Sequence, residues 1–250
     1  MCDTINTLDN PIESSMDAIS LRSFIGQSSI VEMLKVGVAS SKIRKEPLGH
    51  VLLTGPRGSG KSTLAKAIAN DLSVGLRTIS VRAIKSESDF AAILTSIEPG
   101  DILLCENLNS IRQDCVELLC TAMEDFCLDI VIGKGPGARS VRLDLPPFTL
   151  VATLDEKTEL PNKLKCCFTY NAVMTPYSTD ELVKLVRSCS KNLEINISEQ
   201  GANALAIAAN GDYRKLFNAI KRARDFAIVK GNGEITESIA NETISCIMDT

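Results

Sequence analysis

One segment constrains this chain more than any other: HVLLTGPRGSGKSTLAKAIANDL, residues 50–72. An apolar run of strand length stops at a glycine, passes through GPRGSG and opens into a helical pattern. Residues 55–63 match G-x-x-x-x-G-K-[ST], with Gly55, Gly60, Lys61 and Ser62 at the defining positions. Gly55, Pro56, Arg57, Gly58, Ser59, Gly60, Lys61, Ser62 and Thr63 therefore form a candidate phosphate cradle. Glycines let the backbone curl so that successive N–H groups face an anion. The helix that follows presents the positive end of its dipole. Lys61 is placed to reach the β and γ phosphates, and Ser62 offers a hydroxyl to Mg²⁺. The alternative is a Gly-rich turn without a ligand, which the flanking strand and helix argue against.

The rest of the first half repeats the alternation. RTISVRA (77–83), DILLCE (101–106), FTLVAT (148–153) and YNAVMTP (170–176) are short apolar runs, as expected for parallel strands buried on both faces. GKSTLAKAIANDL, SDFAAILTSI and QDCVELLCTAMEDF between them read as helices. This pattern predicts an α/β domain with a parallel sheet. Beyond residue 176 the strand signal stops, and four amphipathic helices are expected, with caps at Ser178 or Thr179, Ser198, Asp212 and Thr236. Thr179 has Leu182 three positions on, so a cap there would be a simple one. The expected organisation is a leader (1–19), a nucleotide-binding α/β domain (20–176) and a helical lid domain (177–250).

Composition excludes several classes. No apolar run approaches 18 residues, so no membrane span is expected. The first 15 residues lack the pattern of a secretory signal, which makes residues 1–19 an expected mobile leader and the cytoplasm the expected compartment. The nine cysteines form no CxxC pair and His50 is the sole histidine, which argues against a zinc site and for thiols in a reducing compartment. A net charge of −4 speaks against a large DNA footprint on this chain alone. The basic run 214–226 is usually no more than a solvated helix face.

LLCENLNSI, residues 103–111, lies where a nucleotide-hydrolysing chain carries two adjacent carboxylates at a strand end. Here the pair is Glu106 and Asn107. Glu106 keeps a carboxylate for the metal. Asn107 is an amide, which can hold a water but cannot accept its proton. Losing a positioned base costs roughly 100- to 10,000-fold in rate. Asp101 does not rescue the site, because it precedes the apolar run and so sits at the wrong end of the strand.

From Phe24 to Gly231 the chain resembles the RuvB family, bacterial AAA+ motors that drive Holliday-junction branch migration. The segments that carry the resemblance are residues 24–72, AAILTSIEPGDILLCENLNSI, and AMEDFCLDIVIGKGPGARSVRLDLPPFTLVAT. The last matches the family's inserted β-hairpin and is far more specific than the phosphate loop. The resemblance implies an AAA+ P-loop domain with an inserted hairpin and a small helical lid. It implies ATP and Mg²⁺ as ligands, with Ser62 and Glu106 on the metal and Thr153 near the first sensor position. It places Phe24, Ile25 and Tyr177 near the adenine. Arg214, in GDYRKLFN, matches the second-sensor arginine; the plainer reading is a surface arginine. Ile130 and Ile132 would face a RuvA-like partner through the hairpin of residues 127–145. LDIVI and SVRLDL alternate about GKGPGA, and the pattern fits equally a contact ribbon or a hairpin folded onto its own core. DNA contact would come through the assembly, and a hexameric ring is implied.

Three departures all fall on chemistry. Asn107 stands at the base position. Ala152-Thr153-Leu154-Asp155-Glu156 replaces the family's Ala-Thr-Thr-Arg. KLKCCF, residues 163–168, replaces the arginine-finger segment, leaving Lys165 and Cys167 where the family has arginines. Lysine keeps charge but lacks the planar fork that bridges a transferring phosphoryl group. The winged-helix domain of the family is expected to be missing, since the chain stops near 250. Three readings follow: a branch-migration motor with impaired ATP hydrolysis, a non-hydrolysing adaptor that binds ATP and docks on RuvA or a related ring, or a degenerate copy without a role.

Overall fold

The computed structural model describes residues 19–132 and 139–248, apart from the side chains of residues 131–132, 139–140 and 247–248. The expected leader lies outside the described residues except for Ile19, whose carbonyl accepts from Asn70 Nδ2 at 2.8 Å.

The chain runs α1 (Ser28–Arg44), β1 (Val51–Thr54), α2 (Lys61–Leu72), β2 (Leu76–Ser80), a 3₁₀ turn (Val81–Ala83) and α3 (Glu87–Thr95). It continues with β3 (Ile102–Glu106), a second 3₁₀ turn (Leu108–Ser110), α4 (Gln113–Glu124), β4 (Cys127–Ile132) and β5 (Arg139–Asp144). Then come β6 (Thr149–Leu154), α5 (Asn162–Cys166) and β7 (Tyr170–Val173). The central sheet has the order β2-β3-β6-β1-β7, and all four of its pairings are parallel.

Alternation along the strands explains the sandwich. Leu52, Leu103, Cys105, Leu150 and Ala152 point to one face, where Phe90 and Leu94 of α3 and Leu119 of α4 complete a core. Val51, Leu53, Ile102, Leu104 and Val151 point to the other, against Leu34 of α1 and Leu64 and Ile68 of α2. Inner strands with both faces covered read as continuous apolar runs. The edge strand β2 is only partly covered, so its expected two-sided burial holds only for the inner strands. β7 stops at Val173, before Pro176, and the chain beyond it is held by Gln27: its Nε2 donates to the Thr175 carbonyl (2.7 Å) and its Oε1 accepts from the Thr175 N–H (3.2 Å).

β4 and β5 form an antiparallel hairpin outside the main sheet, in register Leu128↔Leu143 and Ile130↔Val141. Leu128 is fully buried and Ile130 is half-buried against the core below α4. Of the two arrangements the alternation allows, packing anchors Ile130 at the base of the ribbon, and Val141 and Leu143 on the same face are exposed apolar groups. Ile132 closes β4, but its side chain lies outside the described residues.

The last quarter is α6 (Thr179–Asn192), β8 (Asn196–Ile197), α7 (Glu199–Ala209), α8 (Tyr213–Lys230), β9 (Glu234–Ile235) and α9 (Glu237–Met248). The four expected helices surround a separate core built on Val186, Leu205, Leu216 and Ile220. A two-residue parallel pairing of β8 with β9, which periodicity does not announce, closes it. Ser178 caps α6 as a reciprocal box: its hydroxyl accepts from Glu181 N–H and the Glu181 carboxylate accepts from Ser178 N–H. The acid withheld from Thr179 is therefore present one residue earlier. Among the described residues no helix is long and apolar enough to cross a membrane.

Candidate nucleotide site

The phosphate loop joins the end of β1 to the start of α2. Its glycines are there for backbone reasons. Gly60 precedes α2 at φ 92°, and a Cβ on it would lie 2.6 Å from the Tyr177 hydroxyl oxygen. Gly58 has φ 76°, and a Cβ there would collide with the Asp212 carboxylate at 1.9 Å. Ser59 is buried, its hydroxyl donating to the Pro56 carbonyl at 2.9 Å. Lys61 Nζ folds onto the loop, donating to the carbonyls of Gly55 (2.6 Å) and Pro56 (2.8 Å). Gly55 and Pro56 thus hold the lysine.

Two connected clefts flank this loop, both between the α/β domain and the lid. The apolar one, about 240 Å³, is lined by Phe24, Ile25 and Tyr177 together with Tyr213, Phe217 and Cys189 of the lid. Gly26 and Gln27, both at positive φ, turn the chain so that Phe24 and Ile25 meet the loop. The polar one, about 310 Å³, carries Arg57, Lys61 and Ser62 from the loop and the helix start, Glu106 at the end of β3 and Asn107 just after it, Thr153 of β6 and Asp155 just after it, and Arg214 from α8. Gly60, Thr63 and Tyr213 line both. A hydrophobic slot leading into a cationic cavity matches a nucleoside followed by its phosphates.

Inside the polar cavity, Ser62 Oγ donates to Glu106 Oε1 at 2.6 Å. These are the two groups the sequence assigns to a metal, and they already face each other. Asn107 takes a left-handed conformation (φ 59°, ψ 49°), and its N–H donates to Thr153 Oγ1 at 3.2 Å. Thr153 therefore braces the β3 end through the backbone of Asn107. Burial lowers the pKa of the Lys61 ammonium; the carboxylates of Asp155 and, less, Glu106 oppose this, while Arg214 and Arg57 add to it.

Lys165 is apart from this cleft, exposed on α5, and Ile130 and Ile132 lie on the hairpin. Sequence reasoning missed Arg82 and the role of Asp155 in the cavity, and the lid residues Tyr213 and Phe217. Arg82 belongs to no local motif; only the neighbouring of β2 and β3 brings it in. Tyr213 had a signal, since it adjoins Arg214 behind the Asp212 cap.

Parallel sheet, phosphate loop and helical lid with an inserted hairpin define an AAA+ P-loop nucleotide-binding protein. The family model for the Holliday junction DNA helicase RuvB P-loop domain matches residues 17–174, and that for the RuvB AAA lid domain matches residues 177–248. The solved Thermotoga maritima RuvB Holliday junction branch migration motor is 30% identical with a TM-score of 0.81, over 92% of this chain and 72% of that one. A point mutant of the same Thermotoga maritima protein is 32% identical with a TM-score of 0.83, over 92% and 73% of the two chains. The chain belongs to the RuvB family.

Proposed function

We propose that this chain is an ATP-holding subunit of a RuvB-type branch-migration assembly acting on Holliday-junction DNA, with impaired hydrolysis. The observation that carries this reading is the pairing of Ser62 with Glu106 at 2.6 Å beside an amide, Asn107, at the next position. Mg²⁺, when bound, supplies charge neutralisation at the phosphates, and Ser62 and Glu106 are the residues that would hold it. Lys61, Arg57 and Arg214 offset phosphate charge, and Phe24, Ile25 and Tyr177 supply the apolar walls for the base. The Asn107 side chain is an amide that can hold a water but cannot take its proton.

The hairpin supports docking on a RuvA-like protein: its base is anchored through Leu128, and Val141 and Leu143 are exposed beside Ile130. DNA would be engaged through the assembly, in a ring of like or related subunits. The same Asn107 also favours a second reading, a regulatory adaptor that binds ATP and never hydrolyses it.

Single-turnover hydrolysis, measured beside ATP binding and with and without RuvA and junction DNA, separates these readings. The expected outcome is binding with hydrolysis far below about 1 s⁻¹. Asn107→Glu is expected to raise the rate at least 100-fold by restoring a base. Wild-type turnover of order 1 s⁻¹ or more would sink the impaired-hydrolysis reading. Zero turnover in every condition would favour the adaptor.

A further inference from the structure

We propose that Arg82 is a terminal-phosphate ligand supplied from within the chain, so that the site prefers a nucleoside triphosphate to the diphosphate. The inference rests on the nucleotide-binding reading above and adds to it the residue that would sense the last phosphate.

The direction of the cleft decides which phosphate Arg82 meets. The apolar slot lies toward Phe24 and Tyr177, and the polar cavity begins at Gly60 and Thr63, which the two share. Across the strand ends, the order from the loop is β1, β6, β3, β2. Ser80 of β2 pairs with Glu106 of β3, and Arg82 follows two residues later in the turn Val81–Ala83. Arg82 therefore lines the polar cavity from the turn after the strand farthest from the loop, on the far side of β3 and its Glu106. A group placed there meets the end of a phosphate chain rather than its start.

Its guanidinium is available for that contact. Among the described residues Arg82 forms no ion pair, and its one hydrogen bond is from Nε to Ser110 Oγ at 3.3 Å. Both terminal NH₂ groups are left for a ligand, in a planar fork suited to two phosphate oxygens. Of the two carboxylates in the cavity, Glu106 accepts from Ser62, and Asp155 acts on Lys61. Arg82 is thus the cation that lines the cavity from the β2 side, while Arg57, Lys61 and Arg214 line it from the loop and the lid.

Calorimetric titration of wild type, Arg82→Ala and Arg82→Lys with Mg²⁺ plus either ADP or a non-hydrolysable ATP analogue tests this. Wild type should bind the triphosphate analogue more tightly than ADP. Arg82→Ala should weaken triphosphate binding about tenfold or more, the size of a lost charged hydrogen bond, and leave ADP binding within about twofold. Arg82→Lys should recover part of the preference, because it keeps charge without the fork. Equal wild-type affinity for both ligands, or an Arg82→Ala effect that is absent or the same for both, overturns the role of Arg82 while nucleotide binding stands. Failure of the wild type to bind either ligand overturns nucleotide binding as well.

Discussion

Asn107 sits in the left-handed region, where asparagine is tolerated far better than most non-glycine residues. The residue proposed to weaken hydrolysis therefore suits the backbone, and Asn107→Glu should trade roughly 1 kcal/mol of stability for the expected gain in rate. His50 makes the complementary case, a buried ring used for structure. Its Nδ1 accepts from the Leu150 N–H at 2.9 Å, which leaves Nε2 to donate to the Met123 carbonyl at 2.9 Å, and the Phe148 ring lies 5.6 Å away. Burial lowers its pKa, outweighing the Met123 hydrogen bond, so the native state holds the neutral ring. Below an unfolded-state value near 6.5, the unfolded chain takes up a proton that the native chain resists. Its contribution is complete above that pH and is lost as pH falls below it. Urea midpoints between pH 7 and 5.5 should fall, with a slope of at most about 1.4 kcal/mol per unit from this group. It is the sole histidine, so a flat profile in that window would contradict the assignment.

At the level of elements, the start of α8 carries the lid's hold on the phosphate loop. Asp212 Oδ1 accepts from the N–H groups of Arg214 (2.8 Å) and Lys215 (3.3 Å), and the Tyr213 N–H donates to the Gly58 carbonyl at 3.1 Å. The cap thus fixes the helix turn that places both Tyr213 and Arg214 in the cleft. Asp212→Ala should cost about 0.5–2 kcal/mol in denaturant unfolding and weaken nucleotide binding, while Asp212→Asn, which keeps an acceptor, should do much less. Equal effects of the two variants would mean that charge rather than capping matters. The caps at Ser178, Ser198 and Asp212 were legible because a cap is a local pattern: one polar side chain next to the first helical N–H groups. The 3₁₀ turn carrying Arg82 had no such pattern, and neither did the two-residue strands β8 and β9, which are too short for any periodicity to register.

For the whole molecule, the nucleotide cleft is walled by both domains, so ligand binding and domain docking are expected to be coupled. Saturation with MgATP at about 100 times Kd should add about 2.7 kcal/mol and raise the melting temperature by roughly 5–10 °C in a single transition. Lys61→Ala should fold and lose the shift; two transitions, with one unmoved by nucleotide, would show that the lid is not coupled. Much of this arrangement is written locally. The phosphate loop, its strand and its helix are contiguous from residue 50 to 72, and Glu106 and Asn107 end an apolar run, so chain order alone places them. Alternation of strand and helix set the layers, because a strand buried on both faces has to be apolar at successive positions. Tertiary structure decided what chain order cannot express. The strand order brings Arg82 and Asp155 to one cavity from positions 73 residues apart. Packing turned Ile130 toward the core, although the hairpin's alternation was equally consistent with exposure. The lid's docking placed Tyr213 and Phe217 in the apolar slot beside Phe24 and Tyr177. Each of these depends on which surfaces meet, a long-range property that leaves no periodic mark on the residues involved.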